Sequence, residues 1–155
     1  MKKQTITVLG AIAFSVAAFS AQAGDPEAGA SAFQSQCQNC HNVINDDGDV
    51  LAGRPNVRTG PNLYRILGRQ AGIVDGFRYG ASLVSAGEAG LEWDEAQMIE
   101  YLQDPQGFLR ATTGDNRARS QMSFRVRDAE TAENIVAFLD SLAPAEEDEE
   151  ETVSN

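Results

Sequence analysis

The sequence predicts a helical domain that contains no convincing strand. Three segments combine a capping residue with apolar residues at helical spacing, which is typical of amphipathic helices. The stretches between them are rich in Gly, Pro, Asn and Asp, and this composition favours loops. No stretch alternates apolar and polar residues as a half-buried strand does.

The first and last helices are predicted from their caps. Asp25 is a suitable N-cap, Pro26 occupies the first helical position, and the helix runs to the first cysteine and presents Phe33. The last helix begins near Asp128 and runs to about Leu142, where a proline follows its end.

A middle helix is predicted after Asp94, because Gln97 stands at the position of a capping-box partner. Pro105 is expected to end it. Short helical turns are also expected at 62–67 and 80–85. The middle helix has an apolar face formed by Trp93, Met98, Tyr101 and Leu102.

The motif Cys37-Gln38-Asn39-Cys40-His41 follows the first helix, and C-x-x-C-H is the attachment motif of c-type haem. Each thiol can add to one vinyl group of the porphyrin, and His41 can then bind the iron. A zinc site needs four ligands, and the chain has only two Cys and one His. A thioredoxin-like pair expects a neighbouring βαβ pattern, and a disulfide across so short a loop gives little stabilisation.

The chain begins with the features of a secretory signal peptide. Lys2 and Lys3 precede an apolar run over about 6–19, and Ala21-Gln22-Ala23 forms a cleavage site. We therefore expect residues 1–23 to be removed after about Ala23 and the protein to be periplasmic. An uncleaved membrane anchor is the alternative, although the apolar run is short for a membrane span.

The expected mature chain is acidic. It retains ten Arg and no Lys against 23 Asp and Glu, a net charge of −13, which argues against nucleic acid as a partner. Residues 24–144 are predicted to form one domain. Residues 145–155, with six consecutive acids, are predicted to be a disordered tail.

The second axial ligand of the haem iron can be narrowed by elimination. The chain has no second His, and its expected mature part has no Lys. Met122, Met98, water and an open position remain. We favour Met122, because it lies outside any helical pattern among polar residues, whereas Met98 belongs to an apolar helix face. His/Met ligation raises the haem potential.

Several motifs in a fixed order resemble the class I c-type cytochromes, in particular the cytochrome c2 group of bacterial electron carriers. The resemblance covers nearly the whole of 24–144 and implies an all-α fold in which the first and last helices cross around one covalent haem c. The motifs are Gly29…Phe33, Cys37-x-x-Cys40-His41, Thr59-Gly60-Pro61-Asn62-Leu63-Tyr64, Gly68-Arg69, Gly76-Phe77-Arg78-Tyr79-Gly80, Trp93, Tyr101-Leu102-x-x-Pro105 and Met122-x-Phe124.

The resemblance also implies roles for individual residues. Gly29 would allow close helix packing, with Phe33 near Phe138. Pro61 would offer its carbonyl oxygen to His41, and Arg69, Tyr79 and Trp93 would donate hydrogen bonds to a haem propionate. Tyr101 would place its hydroxyl near the methionine sulfur, and Phe124 would place an aromatic ring beside the exposed haem edge.

These features predict a soluble, monomeric electron carrier rather than an enzyme. It would take single electrons from a cytochrome bc complex and pass them to a terminal oxidase, a photosynthetic reaction centre or another reductase, in respiration or photosynthesis. A five-coordinate gas-binding or peroxidase-like haem protein is the alternative. Family members usually dock through Lys around the haem edge; here the Arg residues must serve, and four of them, Arg117, Arg119, Arg125 and Arg127, cluster around Met122.

Overall fold

The computed structural model describes residues 24–144, so the predicted signal peptide (1–23) and acidic tail (145–155) lie outside the described residues. Within 24–144 no helix is long and apolar enough to cross a membrane. This part of the chain forms α1 (Pro26–Gln36), β1 (Asn42–Ile44), β2 (Val50–Gly53), α2 (Ala81–Glu88), α3 (Glu95–Gln103), α4 (Pro105–Thr113) and α5 (Ala129–Ser141).

The first and last helices, α1 and α5, pack directly against each other, as predicted. The closest approach is at Gly29, where an added methyl group would overlap the Asn134 carbonyl of α5. Phe33 is 1% exposed, and its ring centroid lies 5.6 Å from that of Phe138. The Asp25 amide also donates to the Asn134 side chain at 2.7 Å. These contacts join the two ends of the described chain.

The caps predicted for the helices are present. The Asp25 side chain accepts from the first turn of α1, and Asp128 accepts from the Thr131 amide at the start of α5. Asp94 and Gln97 form the expected capping box at the start of α3. Each cap satisfies amide groups that have no partner inside their own helix.

Helix α4 differs from the prediction, which placed a loop after Pro105. Pro105 ends α3 as expected, but it also occupies the first turn of a new helix, where its missing N–H costs nothing. The Asp104 side chain caps this helix by accepting from Gly107, and Gly114 ends it in the left-handed conformation at φ +66°. The prediction that Pro105 ends a helix is confirmed, but its place in the first turn of the next helix was not predicted.

Three smaller predictions are revised by the structure. The helical turn expected at 80–85 is the start of the longer α2, whereas 62–67 forms non-helical turns. The strands β1 and β2 were not predicted. They pair as an antiparallel hairpin in the register Asn42↔Gly53 and Val43↔Ala52, with a bulge after Val43. Strands of three and four residues are too short to show an alternating pattern.

An aromatic cluster links α3 to α4. The ring centroid of Trp93 lies 5.0 Å from that of Tyr101 and 5.8 Å from that of Phe108, and Tyr101 and Phe108 pack edge to face at 5.7 Å. All three side chains are at most 9% exposed. Helix α4 therefore completes one wall of the core.

Candidate functional site

A deep, mainly apolar cavity lies between α1, the turns that follow β2, and the chain around Met122. It holds about 1340 Å³ of space between protein atoms, its open mouth included, which is enough for a large flat ring. Nine of the ten side chains predicted for the site line it: Cys37, Cys40, His41, Pro61, Tyr79, Trp93, Tyr101, Met122 and Phe124. Met98 and Arg119 line it as well.

The two cysteines and His41 are placed by a tight turn that continues from α1. The Cys37 amide donates to Phe33 in α1, and the amides of Cys40 and His41 both donate to the Cys37 carbonyl, at 3.0 and 2.9 Å. Both thiols are free, with Cys37 buried and Cys40 exposed. Burial, followed by the neighbouring Cys40, raises the pKa of Cys37 to about 11. The buried thiol is therefore neutral at physiological pH.

The His41 ring is held in one orientation. Its Nδ1 lies 3.0 Å from the Pro61 carbonyl oxygen, as the family resemblance implied. A carbonyl oxygen can only accept, so Nδ1 carries the hydrogen and Nε2 keeps its lone pair for a metal. Burial lowers the pKa of His41, and the bond to Pro61 opposes that shift in part. Gly60 packs on the ring, where an added methyl group would overlap it.

Met122 lies in the stretch 114–128, which has neither helix nor strand and which we call the Met122 segment. The Met122 side chain is half-buried and packs against the core. Its amide donates to the Ser120 hydroxyl at 3.1 Å. Upstream, the Arg119 amide donates to the Ser82 hydroxyl of α2 at 3.0 Å. The Ser82 side chain of α2 and the Ser120 side chain of the segment itself therefore position this irregular stretch.

The hydroxyl of Tyr101 is bonded to Ser120, at 3.1 Å. Family resemblance placed this hydroxyl near the methionine sulfur, and the structure places it on the serine two residues before Met122. Burial raises the pKa of Tyr101, and the bond to Ser120 opposes the shift. The phenol is therefore neutral at physiological pH and can serve as a hydrogen-bond donor or acceptor.

Two of the three residues predicted to bind a propionate are joined by their backbones. The Trp93 amide donates to the Arg69 carbonyl at 2.9 Å, and the Gly68 amide donates to the Trp93 carbonyl at 2.7 Å. Burial raises the pKa of the third residue, Tyr79, while the nearby charge of Arg69 acts to lower it. Arg69 does not itself line the cavity, unlike Tyr79 and Trp93.

The chain on both sides of Met122 is rich in arginine. Arg125 forms an ion pair of 2.8 Å with Asp104, and Phe124 is 46% exposed beside it. Among residues 24–144, no carboxylate forms an ion pair with the other three arginines of this cluster. All four are exposed: Arg117, Arg119, Arg125 and Arg127. We call these four residues the arginine face.

Two residues that shape the site were given no role by the sequence analysis. Ser120 joins Tyr101 to the Met122 amide, and its place two residues before a candidate ligand is the available signal. Asn62 was part of a quoted motif without a role, yet it exchanges two hydrogen bonds with the Ile44 backbone, at 2.9 and 2.7 Å. This contact fixes the turn that carries Pro61.

The donor set of this cavity fits haem c. Two thiols stand at the spacing that thioether attachment requires, and the adjacent imidazole presents a free Nε2 to an apolar space. Helices α1 and α5 enclose that space from one side. Fold and site together define a c-type cytochrome.

Comparison with known proteins specifies the family. The chain is 45% identical over 144 residues to cytochrome c2 of Cereibacter sphaeroides, covering 92% of this chain and 98% of the relative. It is 46% identical to cytochrome c-551 of Roseobacter denitrificans over 140 residues, covering 90% and 96%. The crystal structure of cytochrome c2 from Rhodobacter sphaeroides is similar, with a TM-score of 0.74 at 47% identity, covering 77% of this chain and 97% of that one.

No protein-family model matches the chain. The sequence identities to these relatives, and the shares of both chains that they cover, nevertheless show that the chain belongs to the cytochrome c2 family. It is thus an electron-carrying haem protein rather than an enzyme, with one covalent haem c attached through Cys37 and Cys40.

Proposed function

We propose that this cytochrome carries single electrons in the periplasm, from a cytochrome bc complex to a terminal oxidase, a photosynthetic reaction centre or another reductase. Haem c supplies the ferric/ferrous couple. His41 and Met122 are the proposed axial ligands. The observation that carries the proposal is the His41–Pro61 bond of 3.0 Å inside an apolar cavity, because it leaves Nε2 as a fixed and neutral donor.

Met122 is proposed as the second ligand in preference to Met98. Both side chains line the cavity, so proximity alone does not separate them. Met98 is 6% exposed, lies within α3 and belongs to the hydrophobic core, where methionine is a common filler. Met122 lies in an irregular segment that hydrogen bonds hold beside the cavity, and such a segment can direct a thioether sulfur toward a metal.

The other side chains of the site are proposed to bind and shield the haem. Arg69, Tyr79 and Trp93 would hydrogen-bond a propionate, since a buried carboxylate without donors is costly. The backbone bonds between Arg69 and Trp93, and the closeness of the Arg69 charge to Tyr79, support a shared role. Phe124 would cover the exposed haem edge. A carrier with both axial positions filled needs no general acid or base.

Docking is proposed to occur at the arginine face. Its four exposed arginines all lie within five positions of Met122 in the sequence, with the exposed Phe124 among them, on a protein whose expected mature chain carries a net charge of −13. A local basic surface on an acidic protein orients the approach of an acidic partner and speeds association at low salt. The encounter would be transient and would involve the monomer.

Localisation in the periplasm is proposed from the first 23 residues. Their order, a basic start, an apolar run and Ala-x-Ala, is that of a secretory signal peptide cleaved after about Ala23. The acidic residues 145–155 are proposed to be a disordered, solubilising tail.

Optical spectra test the proposed ligation. Absorption spectra of the exported, haem-loaded protein are recorded in the ferric and ferrous states. The same spectra are recorded for Met122→Ala and for the matched variant Met98→Ala. We expect the ferric protein and Met98→Ala to show the weak far-red band of a methionine–iron bond, and Met122→Ala to lose it. The ferrous protein should bind carbon monoxide slowly, and Met122→Ala should bind it rapidly.

Two results would reject the proposed ligation. Loss of the band in Met98→Ala alone would identify Met98 as the ligand. Absence of the band with rapid carbon monoxide binding in the unmodified protein would mean an open position, and the gas-binding or peroxidase-like alternative would replace the electron carrier.

A further inference from the structure

The C-terminal end of α3 holds the Met122 segment on both sides of Met122. On the upstream side, the Tyr101 hydroxyl is bonded to Ser120 at 3.1 Å. On the downstream side, the Val126 amide donates to the Leu102 carbonyl at 2.9 Å. Val126 is 2% exposed, so this end of the segment is anchored in the core.

A third contact from the same part of the chain is the ion pair between Asp104 and Arg125. The Arg125 guanidinium lies 2.8 Å from Asp104 Oδ1, and the two side chains are 54% and 50% exposed. The same Oδ1 accepts from the Gly107 amide at 3.1 Å and so caps α4. Asp104 thereby connects the start of α4 to a residue three positions after Met122.

We propose that the Asp104–Arg125 pair positions Met122 by holding the downstream half of its segment closed. The proposal rests on Met122 being the axial ligand. Between Met122 and the buried Val126, only Ser123, Phe124 and Arg125 intervene, and all three are exposed. Among the described residues, the Asp104–Arg125 ion pair is the side-chain bond that ties this short stretch to the rest of the domain. A displacement of the backbone that carries Met122 away from the cavity is therefore opposed by this pair, and loss of the pair should make such a displacement easier.

The expected effect is modest and depends on salt. Half-exposed ion pairs contribute weakly to stability, so loss of this pair should raise the open population of the segment about two- to fivefold. Salt at about 1 M shortens the Debye length to about 3 Å and should remove most of the difference. A purely steric role of the Arg125 side chain would give an effect that does not change with salt.

Binding of imidazole to the ferric, haem-loaded full-length protein measures this opening, because imidazole binds only when the methionine has left the iron. We expect Arg125→Gln to bind imidazole about two- to fivefold more tightly than the unmodified protein in dilute buffer. The measurement is made at about pH 8, where imidazole is mostly neutral. Asp104→Asn should behave in the same way, since Asn preserves the cap of α4 while removing the charge.

Arg127→Gln is the matched control, because Arg127 lies two residues after Arg125 and carries the same charge. Its side chain makes no ion pair among the described residues. Arg127→Gln should bind imidazole as the unmodified protein does, and Arg125→Lys should recover part of the restraint. Hydrogen exchange gives a second readout, with faster exchange expected at residues 119–126 in Arg125→Gln and Asp104→Asn but not in Arg127→Gln.

The outcomes separate the two proposals. Equal imidazole affinities for Arg125→Gln and Arg127→Gln, or a difference that persists in high salt, would overturn the positioning role of the pair. Tight imidazole binding by the unmodified protein, without a methionine–iron band, would instead reject the proposed ligation by Met122.

Discussion

The two sides of the haem cavity are built differently. On the His41 side, the proposed ligand directly follows a cysteine that attaches the haem, its ring is bonded to Pro61, and Gly60 packs against it. On the Met122 side, the proposed ligand lies in a segment without helix or strand. Hydrogen bonds within the segment, such as the one to Ser120, and hydrogen bonds to neighbouring elements hold it in place. One ligand is fixed by covalent structure and the other by weak contacts.

The difference indicates where this cytochrome can be perturbed. Each contact on the Met122 side is worth about 1 kcal/mol, so the segment should open well before the whole domain unfolds. The His41 side shares the core of α1 and α5 and should open only with the domain. Mutations of similar cost on the two sides should therefore have different effects on ligation.

The largest expected effect comes from two core phenylalanines, one on each side. Phe108→Ala removes the ring that packs on Trp93 and Tyr101, and Phe33→Ala removes the ring that packs on Phe138. Each change should cost about 3–5 kcal/mol of unfolding free energy, measured by guanidinium chloride denaturation. Only Phe108→Ala should also weaken the methionine–iron band, because it removes the support of Tyr101.

This pair of variants can also refute the comparison. If Phe33→Ala weakens the band as much as Phe108→Ala does, the two sides of the cavity are not independent, and methionine ligation follows global stability alone.

A smaller effect is expected from Tyr101→Phe, which removes the hydrogen bond to Ser120. The unfolding free energy should fall by about 1 kcal/mol. Tyr64→Phe is a suitable control, since among the described residues its hydroxyl makes no hydrogen bond, and it should change stability little. A coupling free energy near zero in the double-mutant cycle of Tyr101→Phe with Ser120→Ala would contradict the importance of the bond.

The same variant should alter the dependence of stability on alkaline pH. Burial raises the pKa of Tyr101 above its unfolded value, so the folded state holds the proton more tightly, and the stability present below about pH 10 is lost as pH rises. The expected mature chain has no Lys and three Tyr, which makes tyrosine the main side chain titrating there. Tyr101→Phe should flatten the decline, by at most about 1.4 kcal/mol per pH unit.

The smallest effect is expected from removing residues 145–155. The truncation deletes six acidic residues and changes the net charge from −13 to about −7, while leaving both sides of the cavity unaltered. Association with an acidic redox partner, measured by stopped-flow electron transfer at low salt, should become a few-fold faster. The methionine–iron band should not change. Equal rates at low salt would show that the tail has no electrostatic role.

Much of the fold could be predicted because its signals are local. Asp25, Asp94 and Asp128 each precede an apolar face, and a cap together with periodicity identifies a helix from adjacent residues alone. Helix α4 was missed because Pro105 both ends one helix and begins the next, and a single sequence position favours either interpretation. The hairpin was missed because its strands are too short to have a period.

The site was predictable to different degrees on its two sides. The motif at Cys37–His41 specifies its own chemistry, and family resemblance supplied the bond from His41 to Pro61. The contacts around Met122 join residues far apart in the sequence, such as Asp104 with Arg125 and Ser82 with Arg119. No local pattern reveals such pairs, because they arise only when the Met122 segment has packed beside α2 and the end of α3.

The contact between α1 and α5 also sets an order of events in the making of the protein. The Asp25 amide is bonded to a side chain 109 positions later, so the core cannot close until almost the entire described chain has been synthesised. Chains emerge with the N-terminus first, and both thiols lie just after α1. For most of its synthesis the polypeptide therefore presents Cys37 and Cys40 without the helix that will later enclose them. In a chain exported as proposed, the same order holds as the polypeptide enters the periplasm, and we expect both thiols to stay accessible to the haem until α5 packs on α1.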